Sequence, residues 1–239
     1  MNTWEYFDCE AIEVDKVTKD KAPDLVQLLQ DAIGLFADAF SISSGTTDTT
    51  DVNKAKMALL SQNFNTLKCA VDLALCGYYS QSMNLLRHVY ENWIAFHYVT
   101  KKPGKARILL DGRTDERLPD HSVMLNELGD DAFIKKQKKD WYAVLCCFAH
   151  PHAAGVLPLI SNIFVPDETS IHYGTTYKDE IFRASAYSIS IWTVIMLDDV
   201  SRWVPNTNEW YQKRSILVEK ILRFIDEENK KRNKSVDRS

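Results

Sequence analysis

The chain has 239 residues, of which 45% are apolar and 26% charged, with a formal net charge of −4. That length allows one large domain or two small ones, and the composition is that of an ordinary soluble globular protein with enough apolar material for a real core. The acidic balance argues against wholesale wrapping of nucleic acid and leaves a local basic patch as the only nucleic-acid surface to look for.

Eight glycines and seven prolines are few for this length, which favours long helices over many short strands. The five cysteines (Cys9, Cys69, Cys76, Cys146 and Cys147) follow no disulfide spacing, and an odd count fits a reducing compartment. The opening stretch MNTWEYFDCEAIEVD is acidic and has no basic segment followed by an apolar run, so a secretory signal is not expected there. Ala184 to Leu197, the longest strongly apolar uncharged run, is too short to span a bilayer. The expectation is a cytoplasmic protein that does not engage a membrane.

Residues 1–20 read as irregular or short-stranded, from a weak alternation over Ala11 to Val17. A first helix is predicted from Pro23 to about Phe40, with Pro23 in its first turn and Leu25, Leu28, Leu29, Ile33, Leu35 and Phe36 on its apolar side. Residues 41–51 form a polar loop in which Thr50 or Asp51 can cap the next helix. Gly45 there belongs to no phosphate loop, because the second glycine and the Lys-Ser/Thr pair are missing. The second helix runs from about Val52 to Leu75, and Gly77 ends it. The third, GYYSQSMNLLRHVYENWIAFHYV from Gly77 to Val99, follows at once, so the two should pair as an antiparallel hairpin, and Pro103-Gly104 stops it.

Residues 105–140 are strongly charged, with short amphipathic helices around Ala106–Asp111 and His121–Leu128. The run Lys135, Lys136, Lys138 and Lys139 reads first as a solvated helix face and second as a phosphate-contacting patch. A helix from Trp141 to Ala149 ends before Pro151. Pro158, Pro166, Gly174 and several β-branched residues suggest a short β-hairpin or ordered-loop insertion near 156–177. Helix resumes from about Asp179 to Trp203, and a last helix covers about Asn208 to Glu228. The resulting expectation is an all-α fold: one helical domain over 1–229, a bundle of about five to seven helices, followed by a charged flexible tail over 230–239.

Two constellations carry chemistry. On the third helix, Arg87 and Glu91 share a face with Met83, Tyr90, Ile94 and Tyr98, so they are expected as a charged pair buried among aromatic residues. Such a pair orients a core helix, or it presents Arg87 as an anion donor held by Glu91. The second is Phe148-Ala149-His150-Pro151-His152, where His150 closes a helix or serves as an acid or base near neutral pH. Cys146, Cys147, His150 and His152 have no familiar zinc spacing, so neither a metal site nor a cofactor is expected. His88 should be at the surface and His97 at the core edge. Asp198, Asp199 and Arg202 should meet solvent or pair, with a carboxylate near Arg87 as the alternative.

GYYSQSMNLLRHVYENW, followed some 55 residues later by CCFAHPH, resembles a group of uncharacterised bacterial all-helical proteins, a domain of unknown function. Their shared pattern is Leu-Leu-Arg-x3-Glu on a long helix and then a His-Pro step. That pattern covers about residues 52–152 and is similar in outline to the HEPN-like helical superfamily. The resemblance implies a four- to six-helix bundle, a homodimer, and a role in toxin–antitoxin, phage-defence or RNA-processing systems. Active HEPN ribonucleases carry Arg-x4-6-His on one helix. This chain departs from that, since Arg87 directly precedes His88 and His97 lies too far on. Two functions follow as expectations. One is a binding or regulatory module engaging a protein, nucleotide or RNA partner around Arg87, Glu91 and His150. The other is a metal-independent ribonuclease with His150 as acid or base and Arg87 stabilising phosphate charge.

Overall fold

Two long helices joined by three residues set the frame. The computed structural model describes residues 3–43, 50–111, 116–129, 132–149, 160–161, 170–171, 175–205 and 209–236. In chain order the helices are α1 (Thr3–Lys21), α2 (Pro23–Ser43), α3 (Asp51–Leu75), α4 (Tyr79–Lys101), α5 (Ala106–Leu110), α6 (His121–Leu128), α7 (Ala132–Gln137), α8 (Ala143–Ala149), α9 (Asp179–Val200) and α10 (Trp210–Val236). A π-helical turn, Lys138–Tyr142, joins α7 to α8, and single 3-10 turns follow α4 and α9.

The hairpin of α3 and α4 has a fixed register. Ser82 Oγ donates to the Ala70 carbonyl at 2.7 Å, and Asn63 Nδ2 donates to the Val89 carbonyl at 3.3 Å. Seven residues back along α3 match seven forward along α4, as antiparallel packing requires. Thr50 opens α3 with its side chain accepting from the Asn53 backbone N–H. α2 packs across the pair through Phe36, Phe40 and Phe64, whose ring centroids lie 5.3–5.8 Å apart. α9 crosses α2, α3 and α4 as the central element, and its Phe182, Ala186, Ile189, Trp192 and Met196 are fully buried. α10 lies on α2 and α9, and its Trp210 indole donates to the Leu35 carbonyl at 2.8 Å.

The described residues make an all-α bundle, with more helices than the five to seven expected. The surplus begins with α1. Val14, Thr18 and Ala22 recur at helical spacing, and the alternation over Ala11–Val17 masks that period. Thr18 is fully buried and donates to the carbonyls of Val14 and Leu75, while Asp15 and Lys19 pair on the exposed side. Docking, not apolar content, makes α1 a helix. The β-hairpin expected over 156–177 is not supported as an insertion. There, Ile160–Ser161 pairs antiparallel with Ser170–Ile171 over two residues each, and most of the segment lies outside the described residues. The tail also differs, because α10 continues to Val236. Glu228 is 8% exposed and pairs with both Arg183 of α9 and Lys231, and Tyr187 of α9 donates to Asn229, so α10 is tied to α9 as far as Asn229.

α2 is the one described helix long and apolar enough to cross a membrane by length and composition, and half of the qualifying window is buried inside the fold. That is the pattern of a core helix, which also passes such a test.

Gly77 turns the chain between α3 and α4 at φ +84°, in the left-handed region. A Cβ there would sit 2.6 Å from the Thr176 carbonyl oxygen and 2.9 Å from its amide nitrogen. Gly77→Ala is therefore expected to cost about 2–4 kcal/mol, the left-handed penalty plus displacement of backbone. Urea unfolding should show it as a lower midpoint at unchanged slope.

Candidate functional site around Arg87

Arg87 and Glu91 do meet, with Arg87 Nε donating to Glu91 Oε1 at 2.9 Å. Their side chains are 25% and 32% exposed, so the pair expected inside the core stands at its edge. The reason lies in the helix wheel: Leu86, Val89, Tyr90 and Trp93 take the fully buried arc, and Arg87 and Glu91 flank it. An exposed pair of this spacing contributes about 0.3–0.5 kcal/mol, and with the cation preceding the carboxylate it is in the less favourable order. Glu91 thus does little for α4 and more for Arg87. Its hydrogen bond holds the guanidinium's orientation and raises its pKa.

Around the pair the fold assembles groups that are distant in sequence. Tyr90 is fully buried, and its hydroxyl has no hydrogen-bond partner among the described residues. Burial, reinforced by Tyr142, Cys146 and Glu91, pushes its pKa far above the ordinary tyrosine value. His121 opens α6 and stacks on the Tyr142 ring at 4.5 Å and 20° between planes, with the Tyr90 ring 5.3 Å away. Its Nε2 is buried without a partner. Burial depresses the His121 pKa, Lys138 and Arg87 depress it further, and Glu91 opposes them. His121 is therefore a neutral imidazole at neutral pH. Tyr142 has its pKa raised, first by its hydrogen bond to Cys146 and then by burial. α6 is short, but Lys101 of α4 caps its C-terminus, donating to the Glu127 and Leu128 carbonyls at 2.8 and 2.9 Å, which fixes where His121 lands. Glu91, Asn92, Arg117 and His121 line one open cleft of about 580 Å³.

His150, the expected partner of Arg87, lies outside the described residues, as does His152. The imidazole close enough to feel the Arg87 charge is His121, expected at the start of a short amphipathic helix but not among the candidate site residues. Its signal was present: His121, Met124, Leu125 and Leu128 fall at the spacing of one helix face, and the three apolar members are buried. His88 is exposed, and His97 is 20% exposed at the core edge, as expected. Neither Asp198 nor Asp199 is shown near Arg87. Asp198 pairs with Arg214 at 2.7 Å. Asp199, 4% exposed, accepts from the Trp93 indole at 3.0 Å and faces His97 Nε2 at 3.6 Å and Arg202 at 3.5 Å. Lys56, 7% exposed, completes this second cluster with its ammonium 4.7 Å from the Phe96 ring and 5.0 Å from the Trp203 ring. Burial lowers the Lys56 pKa, Arg202 adds to that, and Asp199 opposes it.

Among the described residues, no three His, Cys, Asp or Glu side chains converge as metal ligands. No family model matches the chain, and neither curated proteins nor solved structures provide a match.

Two predictions follow from the two clusters. Asp199→Ala strands the Trp93 indole and leaves Lys56 and Arg202 without their carboxylate, so it should cost about 3–5 kcal/mol, and Asp199→Asn less because it keeps an acceptor. Chemical denaturation of both variants measures the difference. For His121 the folded pKa is below the unfolded one. The unfolded state therefore binds more protons as pH falls through the ordinary histidine range, and this contribution to stability is lost from about pH 7 downward. Comparing urea midpoints at pH 7.5 and 5.0, His121→Phe, which keeps a ring on Tyr142, should lose less than the parent chain.

Proposed function

We propose that this chain is a helical binding or regulatory module that recognises the phosphate backbone of an RNA partner through Arg87. The observation that carries the reading is the placement of Arg87 itself. Its guanidinium is part-exposed, oriented by Glu91, and set beside the His121–Tyr142 stack. An oriented, partly desolvated arginine suits phosphate, which it can engage by charge-assisted hydrogen bonds. Lys138 and Lys139 are exposed on the same π turn that carries Tyr142, and Lys138 is close enough to act electrostatically on His121. They extend a local positive strip on a chain whose net charge is −4. The resemblance of the Leu-Leu-Arg-x3-Glu pattern to HEPN-like proteins supports a cytoplasmic homodimer serving bacterial defence or toxin–antitoxin systems.

The reading is tested with a 5′-fluorescein mixed-sequence RNA in EDTA, followed by anisotropy and by gel. Binding without cleavage is expected, weakened about tenfold or more by Arg87→Ala and partly restored by Arg87→Lys. The salt dependence of binding should fall by about one phosphate contact in the alanine variant. No binding, or binding indifferent to Arg87, overturns the proposal. Cleavage that survives EDTA and disappears in both Arg87→Ala and His150→Ala would carry the ribonuclease reading in its place.

A further inference from the structure

Asp140 and Trp141 of the π turn border a separate cavity that Tyr142 does not line. It lies between α4, the α7–α8 segment and α9, has a volume of about 790 Å³, and is half open to solvent. Met83, Trp141, Phe148 and Ile181 give it apolar and aromatic walls. Two neutral polar atoms at the same walls have no partner: Gln137 Oε1, on a residue 8% exposed, and Ser185 Oγ, on a residue 1% exposed. Buried polar atoms are almost always paired, and each unpaired one is a destabilising feature of a fold. Here both border one cavity. The backbone adds an independent sign. Trp141 reaches the cavity from a π-helical turn, a rare distortion frequently found at functional sites. A cavity of this size, largely apolar with a few convergent polar groups, is the usual form of a small-molecule site.

We infer that this cavity binds a flat, uncharged aromatic heterocycle whose N–H donates to Gln137 Oε1, with Ser185 Oγ as the second polar contact. The acceptor on Gln137 requires a donor on the ligand. The charged residues of the lining, Lys136, Asp140 and Glu180, are all exposed, and its buried residues are neutral, which disfavours a charged ligand held deep in the cavity, since burying an ion without a counter-charge is costly. The aromatic and thioether walls favour a planar ring system. This site is distinct from the Arg87 patch and does not depend on the RNA reading.

Indazole and 1-methylindazole differ at the N–H donor and serve as probes. Saturation-transfer NMR with the full chain at pH 8 should show saturable indazole binding, with 1-methylindazole about three- to tenfold weaker, the worth of one neutral hydrogen bond. Gln137→Leu removes the acceptor. It should erase the difference between the two probes without lowering the melting temperature, because the orphaned oxygen is lost as well. Ala184→Trp, which fills the cavity from α9, should abolish binding of both. Absence of saturable indazole binding at millimolar concentration overturns the inference. So does equal affinity for the two probes in the parent chain, and so does unchanged binding in a folded Ala184→Trp variant.

Discussion

A carboxylate at 4% exposure has to be compensated, and the way Asp199 is compensated fixes how α9 lies on α4. One oxygen takes the Trp93 indole N–H and faces His97, one helical turn further along α4, while the other oxygen faces Arg202 on the turn that follows α9. An apolar contact would tolerate small rotations of α4, but a directional bond from Trp93 does not. With Trp93 pinned, the rest of the wheel is determined. Tyr90 goes inward, and Arg87 and Glu91 come out at the rim. The site therefore depends on an interaction on a neighbouring face of the same helix, through the geometry of α4 alone.

Lys56 shows what this arrangement costs. Its ammonium is buried at 7% exposure between Phe96 and Trp203, and its environment on balance disfavours its charge. Cation–π contacts of this kind are worth about 1–2 kcal/mol when desolvated, which offsets part of that penalty. Replacing such a cluster by apolar side chains would often do no harm to stability. What the polar cluster adds is a unique rotation of α4 against α9 and α3.

How much of this was legible in the sequence depends on the range of the forces involved. The α3–α4 hairpin was readable because its signals are local: apolar spacing, the Thr50 cap and the Gly77 stop. α1 was not, because nothing within its own residues outweighs their polarity; it is helical through Thr18 meeting the end of α3. α10 is held to α9 at Glu228, which meets Arg183, and the helix runs on from there to Val236. At the site, the Arg87–Glu91 bond is an intrahelical contact and could be read from spacing, but the depth of the pair could not, since it depends on which neighbours cover α4. His121 was within reach, being in step with Met124, Leu125 and Leu128. Its stack on Tyr142 was not, because the π turn that aims Tyr142 has no sequence signature of its own.

The π turn also explains why two dissimilar surfaces sit back to back. Consecutive side chains on a helix diverge by about 100°, and so Trp141 and Tyr142 leave this segment in different directions. Trp141 walls the apolar cavity, and Tyr142 carries His121 beside Arg87. Unpaired polar atoms gather around this one segment: Tyr90 Oη and His121 Nε2 on one side, Gln137 Oε1 and Ser185 Oγ on the other, with Trp192 Nε1 between the Tyr90 and Trp141 rings. Each such atom costs about 1–3 kcal/mol when buried. Elsewhere the outcome is mixed: Thr18, Ser82, Trp93 and Trp210 are satisfied, whereas Ser190 Oγ and Arg214 Nε have no hydrogen-bond partner among the described residues. Polar atoms left unpaired around the π turn reduce stability where a binding surface is formed, and a ligand supplying the missing partners would recover that loss.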